Sequence, residues 1–284
     1  MPSDERRQAM EGNGRRRFEG RVVVVTGGGS GLGEAMSKAF AAEGGRVAVS
    51  DIREEGARKV AGAAGGEARG YACDVSDSGA VRQLFDAVAA DFGDVDVLVN
   101  NAGIARRDQA TQEKMLEQLT AAMMGGERES LGATKGLSDE EWDHMIRVHL
   151  YGTFYCTREA LKVMEPNRRG AIVNISSVAA LEGLPGAPDY SAAKAGIIGI
   201  TRAVAAEVSG SGIRVNAIAP GWIRTPMVQE EIDPRLLPIL LAQVPLGGMG
   251  EPEHIAALAL HLCSDEASYT TGQVISPNGG LHPY

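Results

Sequence analysis

Apolar residues fall along this chain in two alternating patterns. Short runs rich in valine or isoleucine alternate with longer stretches in which apolar positions recur every three or four residues. The short runs predict strands over 21–25, 47–50, 68–72, 95–99, 171–175, 214–219 and 273–276. The periodic stretches predict helices over 34–43, 53–64, 78–92, 139–165, 187–208 and 253–263. Within 78–92, Val81, Leu84, Phe85 and Val88 share one stripe. Residues 95–99 are nearly all apolar, as in a strand buried on both faces. This alternation predicts the α/β class: a doubly wound parallel sheet of about seven strands, helices on both faces and right-handed crossovers. Ligands bind such a sheet beyond the carboxyl ends of its strands, near the point where strand order reverses.

Three stretches depart from this rhythm. Residues 1–17 are polar and aperiodic and carry five arginines, so they read as a disordered tail before a single domain over 18–284. The tail lacks the apolar core of a secretory signal, and its acids Asp4, Glu5 and Glu11 argue against a transit peptide. Residues 104–137 lie between the fourth strand and the next long helix. Within them 111–124 is amphipathic, with Met115, Leu116, Leu119, Ala122 and Met123 on one side. This is either a lid or pocket wall for an apolar substrate, or surface decoration packed on its own apolar side. Residues 227–244 form a third apolar stretch, either a flap over substrate or core packing.

Composition narrows the function classes. With 44% hydrophobic and 23% charged residues the chain reads as a globular domain. A net charge of −9 gives nucleic acid no electrostatic support, and no apolar run reaches the about 20 residues that span a bilayer. The three cysteines, Cys73, Cys156 and Cys263, are widely spaced and read as reduced and buried. The five histidines form no ligand cluster, so no metal is expected. A cytoplasmic protein with a small-molecule partner is the expectation.

Two motifs carry chemistry. Thr26-Gly27-Gly28-Gly29-Ser30-Gly31-Leu32-Gly33 follows the first strand and opens a helix. Strand, glycine turn and helix together form a dinucleotide site of the Rossmann type: Gly27 permits the turn, Gly31 and Gly33 let backbone approach pyrophosphate, and the helix N-terminus offers amides and positive dipole. Ser30 and Leu32 belong to the same cradle. The second motif is Tyr190-Ser191-Ala192-Ala193-Lys194, with Ser177 thirteen residues before the tyrosine. On a helix Tyr190 and Lys194 share one face. A nearby ammonium favours phenolate and brings a phenol toward the range of general acid–base catalysis, while the serine hydroxyl holds the substrate oxygen.

Together these motifs resemble the short-chain dehydrogenase/reductase family over about residues 18–280, in particular its 3-oxoacyl reductase-like and hydroxysteroid dehydrogenase-like members. Asn100-Asn101-Ala102-Gly103 is similar to the family's element after the fourth strand, Asn174-Ile175-Ser176-Ser177 to its serine-bearing strand end, and Pro220-Gly221-Trp222-Ile223-Arg224-Thr225 to its nicotinamide-side loop. The resemblance implies cofactor contacts from Asn101, Ala102, Gly103, Tyr190, Lys194, Pro220, Gly221, Ile223 and Thr225. It also implies that Asp74 accepts from the adenine amino group with Val75 behind the ring. Asp77 more simply caps the helix over 78–92.

Cofactor choice is read at Asp51, eighteen residues after Gly33. An acid at the end of the second strand accepts from the ribose hydroxyls and repels a 2′-phosphate. Ser30 and Ile52 are not basic, and Arg53 is the one nearby cation. The expectation is NAD, with NADP less favoured; Asp51 could also cap the following helix.

Two departures from the family pattern stand out. His149, in Val148-His149-Leu150-Tyr151-Gly152, occupies the place of the family's fourth catalytic residue, an asparagine. It either keeps a proton relay through its two ring nitrogens or is a packed helix histidine. The 34 residues between Gly103 and Ser138 replace a loop of roughly a dozen. Arg168 and Arg169 could touch an acidic carrier or form a solvated pair. The resemblance implies an NAD(H)-dependent oxidoreductase interconverting a secondary alcohol and a ketone, on a fairly bulky apolar substrate, and assembled as a homotetramer or homodimer. Here Tyr190 transfers the proton, Ser177 binds the oxygen, and Lys194 tunes the tyrosine and holds the nicotinamide ribose. The alternatives are a 3-oxoacyl-thioester reductase, a role that usually takes NADPH, and a non-catalytic dinucleotide-binding protein.

Overall fold

A computed structural model describes residues 16–282 apart from 107, 124, 126 and 128. Its frame is one parallel sheet of seven strands: β1 Val22–Thr26, β2 Arg46–Asp51, β3 Arg69–Ala72, β4 Val97–Asn100, β5 Gly170–Ile175, β6 Ile213–Ile218 and β7 Val274–Ile275, in spatial order β3-β2-β1-β4-β5-β6-β7. The chain builds outward through β1, β2 and β3, then returns to lay β4 on the other side of β1. The order therefore reverses between β1 and β4, where Val23 pairs with Val97 and Val25 with Val99.

The helices are α1 Gly31–Ala42, α2 Glu54–Ala64, α3 Ser78–Phe92, α4 Gln109–Met123, α5 Ala133–Gly136, α6 Asp139–Ile146, α7 Gly152–Asn167, α8 Ala179–Glu182, α9 Pro188–Val208, α10 Pro226–Glu231, α11 Leu237–Leu241 and α12 Pro252–Cys263. Each reflects local chemistry. Ser138 and Glu141 form a capping box that starts α6, Pro188 takes the first position of α9, and Asp77 accepts from Gly79 N and Ala80 N to start α3, as expected.

Because side chains alternate across a strand, β1 feeds two cores. Val23 and Val25 face α1 and α12 with Met36, Phe40, Ile255 and Leu262. Val22 and Val24 face α3, α7 and α9 with Leu84, Phe85, Cys156, Met164 and Ala205. All three cysteines are free and buried. Among the described residues no helix is long and apolar enough to cross a membrane.

Two expectations need correction. Residues 1–15 of the expected tail lie outside the described residues, but Arg17 is tied to Glu43 and Glu266 and Phe18 stacks edge-on against Phe40 at 4.8 Å, so the folded part includes Arg17. The helix expected over 139–165 is two helices joined by a π turn, Arg147–Tyr151. A π turn inserts a residue without breaking the apolar periodicity, so the pattern runs straight through it. The stretch 227–244 holds two short helices, α10 and α11, with Pro234 in the linker between them and Pro238 in the first turn of α11. Arg168 and Arg169 are exposed, as expected of a solvated pair, and each also has a partner within the chain: Arg168 donates to Gly210 O at 2.7 Å and Arg169 pairs with Asp96.

Phe40 is fully buried between α1, Phe18 and the sheet. Phe40→Ala is expected to lower unfolding free energy by about 3–5 kcal/mol, read from the shift in urea midpoint at unchanged slope.

Candidate active site

The exit of β4 organises the site. Asn100 at its end donates to Thr157 Oγ1 of α7 (3.0 Å) and to Asn174 Oδ1 of β5 (2.8 Å), and Asn174 donates to Thr201 Oγ1 of α9 (2.9 Å). Asn101 Nδ2 donates to the carbonyls of Thr26 and Gly27, each at 3.0 Å, while Asn101 N and Ala102 N donate to Thr26 Oγ1. The glycine turn is thus fastened to the neighbouring strand exactly at the sheet's reversal.

The turn accepts only small residues. Gly27 and Gly31 have φ of 60° and 54°, in the left-handed region. A Cβ on Gly33 would lie 2.1 Å from Gly27 O. Ser30 takes the N-cap position of α1 without a side-chain cap, leaving the first helical amides, including those of Leu32 and Gly33, free to face an anion. These features fit a dinucleotide pyrophosphate. Across the cleft the loop after β6 closes in: a Cβ on Gly31 would lie 3.5 Å from Thr225, and Thr225 accepts from Val228 N to cap α10. Pro220 O accepts from Val178 N, Gly221 packs on Asn278, and Ile223 is buried.

At the end of β2, Asp51 is buried and held by one backbone hydrogen bond to each oxygen. Its Oδ2 accepts from Gly29 N and its Oδ1 from Arg53 N, both at 3.0 Å. It does not cap α2, whose N-cap is Arg53 with no side-chain cap bond. Ile52 is exposed, and Arg53 Nε stands 3.9 Å from Asp51 Oδ1. Asp74 lies beside β2 through Cys73 N, which donates to Asp51 O; one Asp74 oxygen accepts from Ser76 N and Ser76 Oγ. Val75 is buried against Gly152, where a Cβ would meet it at 2.8 Å.

Ser177, Tyr190, Lys194 and His149 do come together. Ser177 follows β5; Tyr190 and Lys194 lie one turn apart on α9. Ser177 Oγ accepts from Ala179 N at 3.1 Å and lines the same cavity as Tyr190, and Lys194 Nζ donates to Ile175 O at 2.9 Å while standing 5.6 Å from the Tyr190 ring centre. Burial dominates the electrostatics. It pushes the Tyr190 phenol above its ordinary 10, against the pull of the Ser177 hydroxyl, and pushes Lys194 down to about 7. The expected lowering of the tyrosine by the lysine charge is therefore absent here. The ammonium sits over the ring and on a carbonyl rather than at the hydroxyl, and its own charge is disfavoured.

His149 lies in the π turn and is 1% exposed. Its Nε2 is 3.1 Å from Ile104 N and 2.9 Å from Ile104 O, so one nitrogen faces a donor and an acceptor and can serve only one of them. Nδ1 is buried without a hydrogen bond. The ring sits edge-on to Tyr190 at 5.5 Å and against Gly103, where a Cβ would meet Cε1 at 2.5 Å. Burial, then the Lys194 charge, holds its pKa well below 6.5, so it is neutral at physiological pH.

A cavity of about 230 Å³ opens in front of Ser177 and Tyr190. Its walls are Thr111, Gln112 and Met115 of α4, Met145 of α6, and Met227, Val228, Ile232, Leu236 and Leu240 of the two flap helices and their linker. The insertion and flap are joined: Gln112 Oε1 accepts from Asp233 N at 2.6 Å and Glu113 pairs with Arg235 at 2.8 Å. Of the apolar side expected on 111–124, Met115 reaches the cavity; the side chains of Ala122 and Met123, and residue 124, lie outside the described residues. Sequence reasoning missed Arg106 and Asp189, which also line the cavity and pair across it, and the Asn100–Asn174 chain beneath. Polar residues at the ends of apolar strands were the available signal for the latter.

A glycine cradle at a sheet reversal, with a serine, tyrosine and lysine meeting beside it, defines a dinucleotide-dependent oxidoreductase. The sequence pattern of the short chain dehydrogenase family matches residues 21–235, and this chain belongs to that family. A 3-oxoacyl-[acyl-carrier-protein] reductase of Thermotoga maritima is 39% identical, covering 93% of this chain and 99% of its own. The Escherichia coli protein of the same name is 35% identical over 93% and 98%. An uncharacterized oxidoreductase of Mycobacterium tuberculosis is 43% identical over 92% and 96%. Among solved structures, a 3-ketoacyl-(acyl-carrier-protein) reductase from Brucella melitensis complexed with NADH superposes with a TM-score of 0.80 at 30% identity, covering 93% of this chain and 98% of that one. The chain is accordingly an oxidoreductase acting on CH–OH and ketone groups.

Replacing His149 by asparagine would let one carboxamide meet both Ile104 N and O. His149→Asn is expected to retain activity and to leave the acid limb of the rate–pH profile unmoved between pH 6 and 9, since a neutral imidazole has no proton to lose there. A shift of that limb by more than about half a unit would restore His149 to a titrating relay.

Proposed function

We propose that this protein is a cytoplasmic, NAD(H)-dependent reductase of 3-oxoacyl thioesters. The observation that carries the reading is that Ser177 and Tyr190 line one cavity with Lys194 one helical turn behind the tyrosine, in a chain whose relatives at 35–39% identity are 3-oxoacyl reductases along nearly their whole length. The more general reading, a secondary alcohol or ketone on a bulky apolar body, draws its support from the α4 wall, which gives the cavity room beyond a short acyl chain. The complete triad argues against a binding-only protein.

The bound nucleotide supplies or accepts hydride at its nicotinamide. The residues of this chain manage the oxygen. Ser177 Oγ donates to the substrate carbonyl and holds it against Tyr190. As hydride adds to the carbonyl carbon, the Tyr190 hydroxyl proton passes to the oxygen, leaving alcohol and phenolate. Lys194, whose Nζ donates to Ile175 O, would stabilise the phenolate by its charge and bond a ribose hydroxyl of the nucleotide. Burial keeps the Tyr190 phenol protonated, so that it holds a proton to donate in the reductive direction. His149 acts by position, bracing the Tyr190 ring and Ile104.

NAD rather than NADP is supported by Asp51, a buried carboxylate with no base at Ser30 or Ile52. Arg53, the nearby cation, leans toward Asp51. Exposed Trp142, Tyr151 and Phe154 along α6 and α7 support pairing of this face with a second copy, giving a dimer or tetramer.

The test is reduction of a 3-oxoacyl thioester series with NADH and NADPH in parallel. NADH is expected to give the higher kcat/KM, and Asp51→Ala with Ile52→Arg to move preference toward NADPH by about tenfold or more. An unmutated protein equally or more efficient with NADPH contradicts the cofactor reading. Turnover of simple ketones but of no 3-oxoacyl thioester contradicts the substrate reading.

A further inference from the structure

Asp189, the residue immediately before Tyr190, is an outlier in the cavity. The wall combines an apolar side from the flap and α4 with a polar edge that includes Arg106, Asp108 and Glu182. Asp189 is 1% exposed, and neither of its carboxylate oxygens receives a hydrogen bond. A buried carboxylate ordinarily gathers two or more donors. Its place in the first turn of α9 gives it the positive end of a helix dipole, which offsets only part of the cost of burying the charge.

Its one ion-pair partner is Arg106, at the start of the insertion, and that pairing is poor. Arg106 Nε stands 3.5 Å from Asp189 Oδ2 and is itself buried without a hydrogen bond. The same guanidinium serves Asp108 at 3.4 Å and Glu141 at 3.8 Å. One arginine thus faces three carboxylates through long contacts, and no pair has the close, forked geometry that arginine and carboxylate prefer. The cluster carries an excess of negative charge and an excess of acceptors. Such a corner repels an anionic group and lacks donors.

We propose that Asp189 is a specificity-determining residue that accepts a hydrogen bond from a donor on the substrate, a hydroxyl or an amide N–H placed near the reacting carbonyl. Arg106 is the movable partner: its loose contacts let it re-aim toward Asp108 and Glu141 while the ligand donor takes Asp189. Among the carboxylates that line the cavity, Asp189 is the one buried without a hydrogen bond, and an unsatisfied acceptor next to the tyrosine fixes which way round a ketone binds. A hydrogen bond to a buried charge discriminates strongly against an analogue lacking the donor, because that analogue leaves the carboxylate bare. The inference rests on the keto-reductase reading of this cavity. It deepens that reading by naming the polar feature the substrate must carry.

The test uses Tyr190→Phe protein saturated with NADH, or with NADPH if NADH does not bind. Calorimetric binding of two matched probe pairs is compared. One pair is 1-hydroxy-2-octanone against 3-nonanone. The other is the 3-oxohexanoyl thioester of N-acetylcysteamine against the same thioester with the amide N–H replaced by an ester oxygen. The donor-bearing member of one pair is expected to bind about tenfold or more tightly than its counterpart, and the pair that discriminates identifies the donor as hydroxyl or amide. Adding Asp189→Leu is expected to bring that ratio close to one without weakening the donor-free probe. Adding Asp189→Asn, which keeps the shape and one acceptor, is expected to give an intermediate ratio. Thermal unfolding and nucleotide affinity of each variant check that the fold is kept, and if the leucine variant fails that check the asparagine variant decides. Four results overturn the proposal: no discrimination by the parent protein, a ratio that survives Asp189→Leu, an unchanged ratio in Asp189→Asn, or equal loss for both members of a pair. Discrimination in binding without turnover of any probe by the Tyr190-containing protein would leave Asp189 standing and reject the keto-reductase reading instead.

Discussion

The five residues leaving β4 are the constraint on which the site depends. Asn100 ties β4 to β5 and α7 from below, and Asn101 ties it to the glycine turn through the carbonyls of Thr26 and Gly27. Gly103 then passes so close to His149 that no side chain fits between them, and Ile104 meets the His149 ring. Two residues further on, Arg106 reaches Asp189 beside the tyrosine. Backbone polar groups at a sheet reversal cannot pair with a further strand, so side-chain amides take over that work. One strand exit thereby sets the nucleotide cradle, the tyrosine's surroundings and the point where the insertion departs.

The chemistry occupies a dry corner, and dryness governs its electrostatics. Burial moves Tyr190 and Lys194 each toward its neutral form. His149 is likewise held neutral. The site therefore gathers three titratable groups whose charged states are all disfavoured, at a cost offset by the two apolar cores that clamp β1 from either side. A protonated tyrosine at the wall of the cavity is the consequence. Its low dielectric strengthens every hydrogen bond made to the reacting oxygen.

Much of this was legible in the sequence. Alternating apolar patterns gave all seven strands and the main helices, because parallel strands buried on both faces leave an unmistakable signature. The glycine turn and the Ser177, Tyr190 and Lys194 set were legible because their geometry is local or fixed by strand ends. What escaped had nonlocal or period-neutral causes. The π turn at His149 adds a residue without disturbing the apolar stripe. The Arg106–Asp189 contact joins residues 83 apart along the chain and carries no periodic mark. The insertion helix was visible from its apolar side, but its attachment to the flap through Gln112 and Glu113 was not. The direction of the tyrosine shift also escaped, since motif spacing reports proximity to lysine and not depth of burial.

The central claim is that Tyr190 carries the proton while the rest of the site only binds and orients. Steady-state reduction by Tyr190→Phe, measured beside nucleotide affinity of the same protein, tests it most directly. The change removes one hydroxyl and little packing. The account predicts nucleotide affinity within about twofold of the unmutated protein and a fall in kcat of ~10²-fold or more, the usual loss for a general acid. A variant that keeps more than a few per cent of kcat would contradict the account, because the proton would then come from another group.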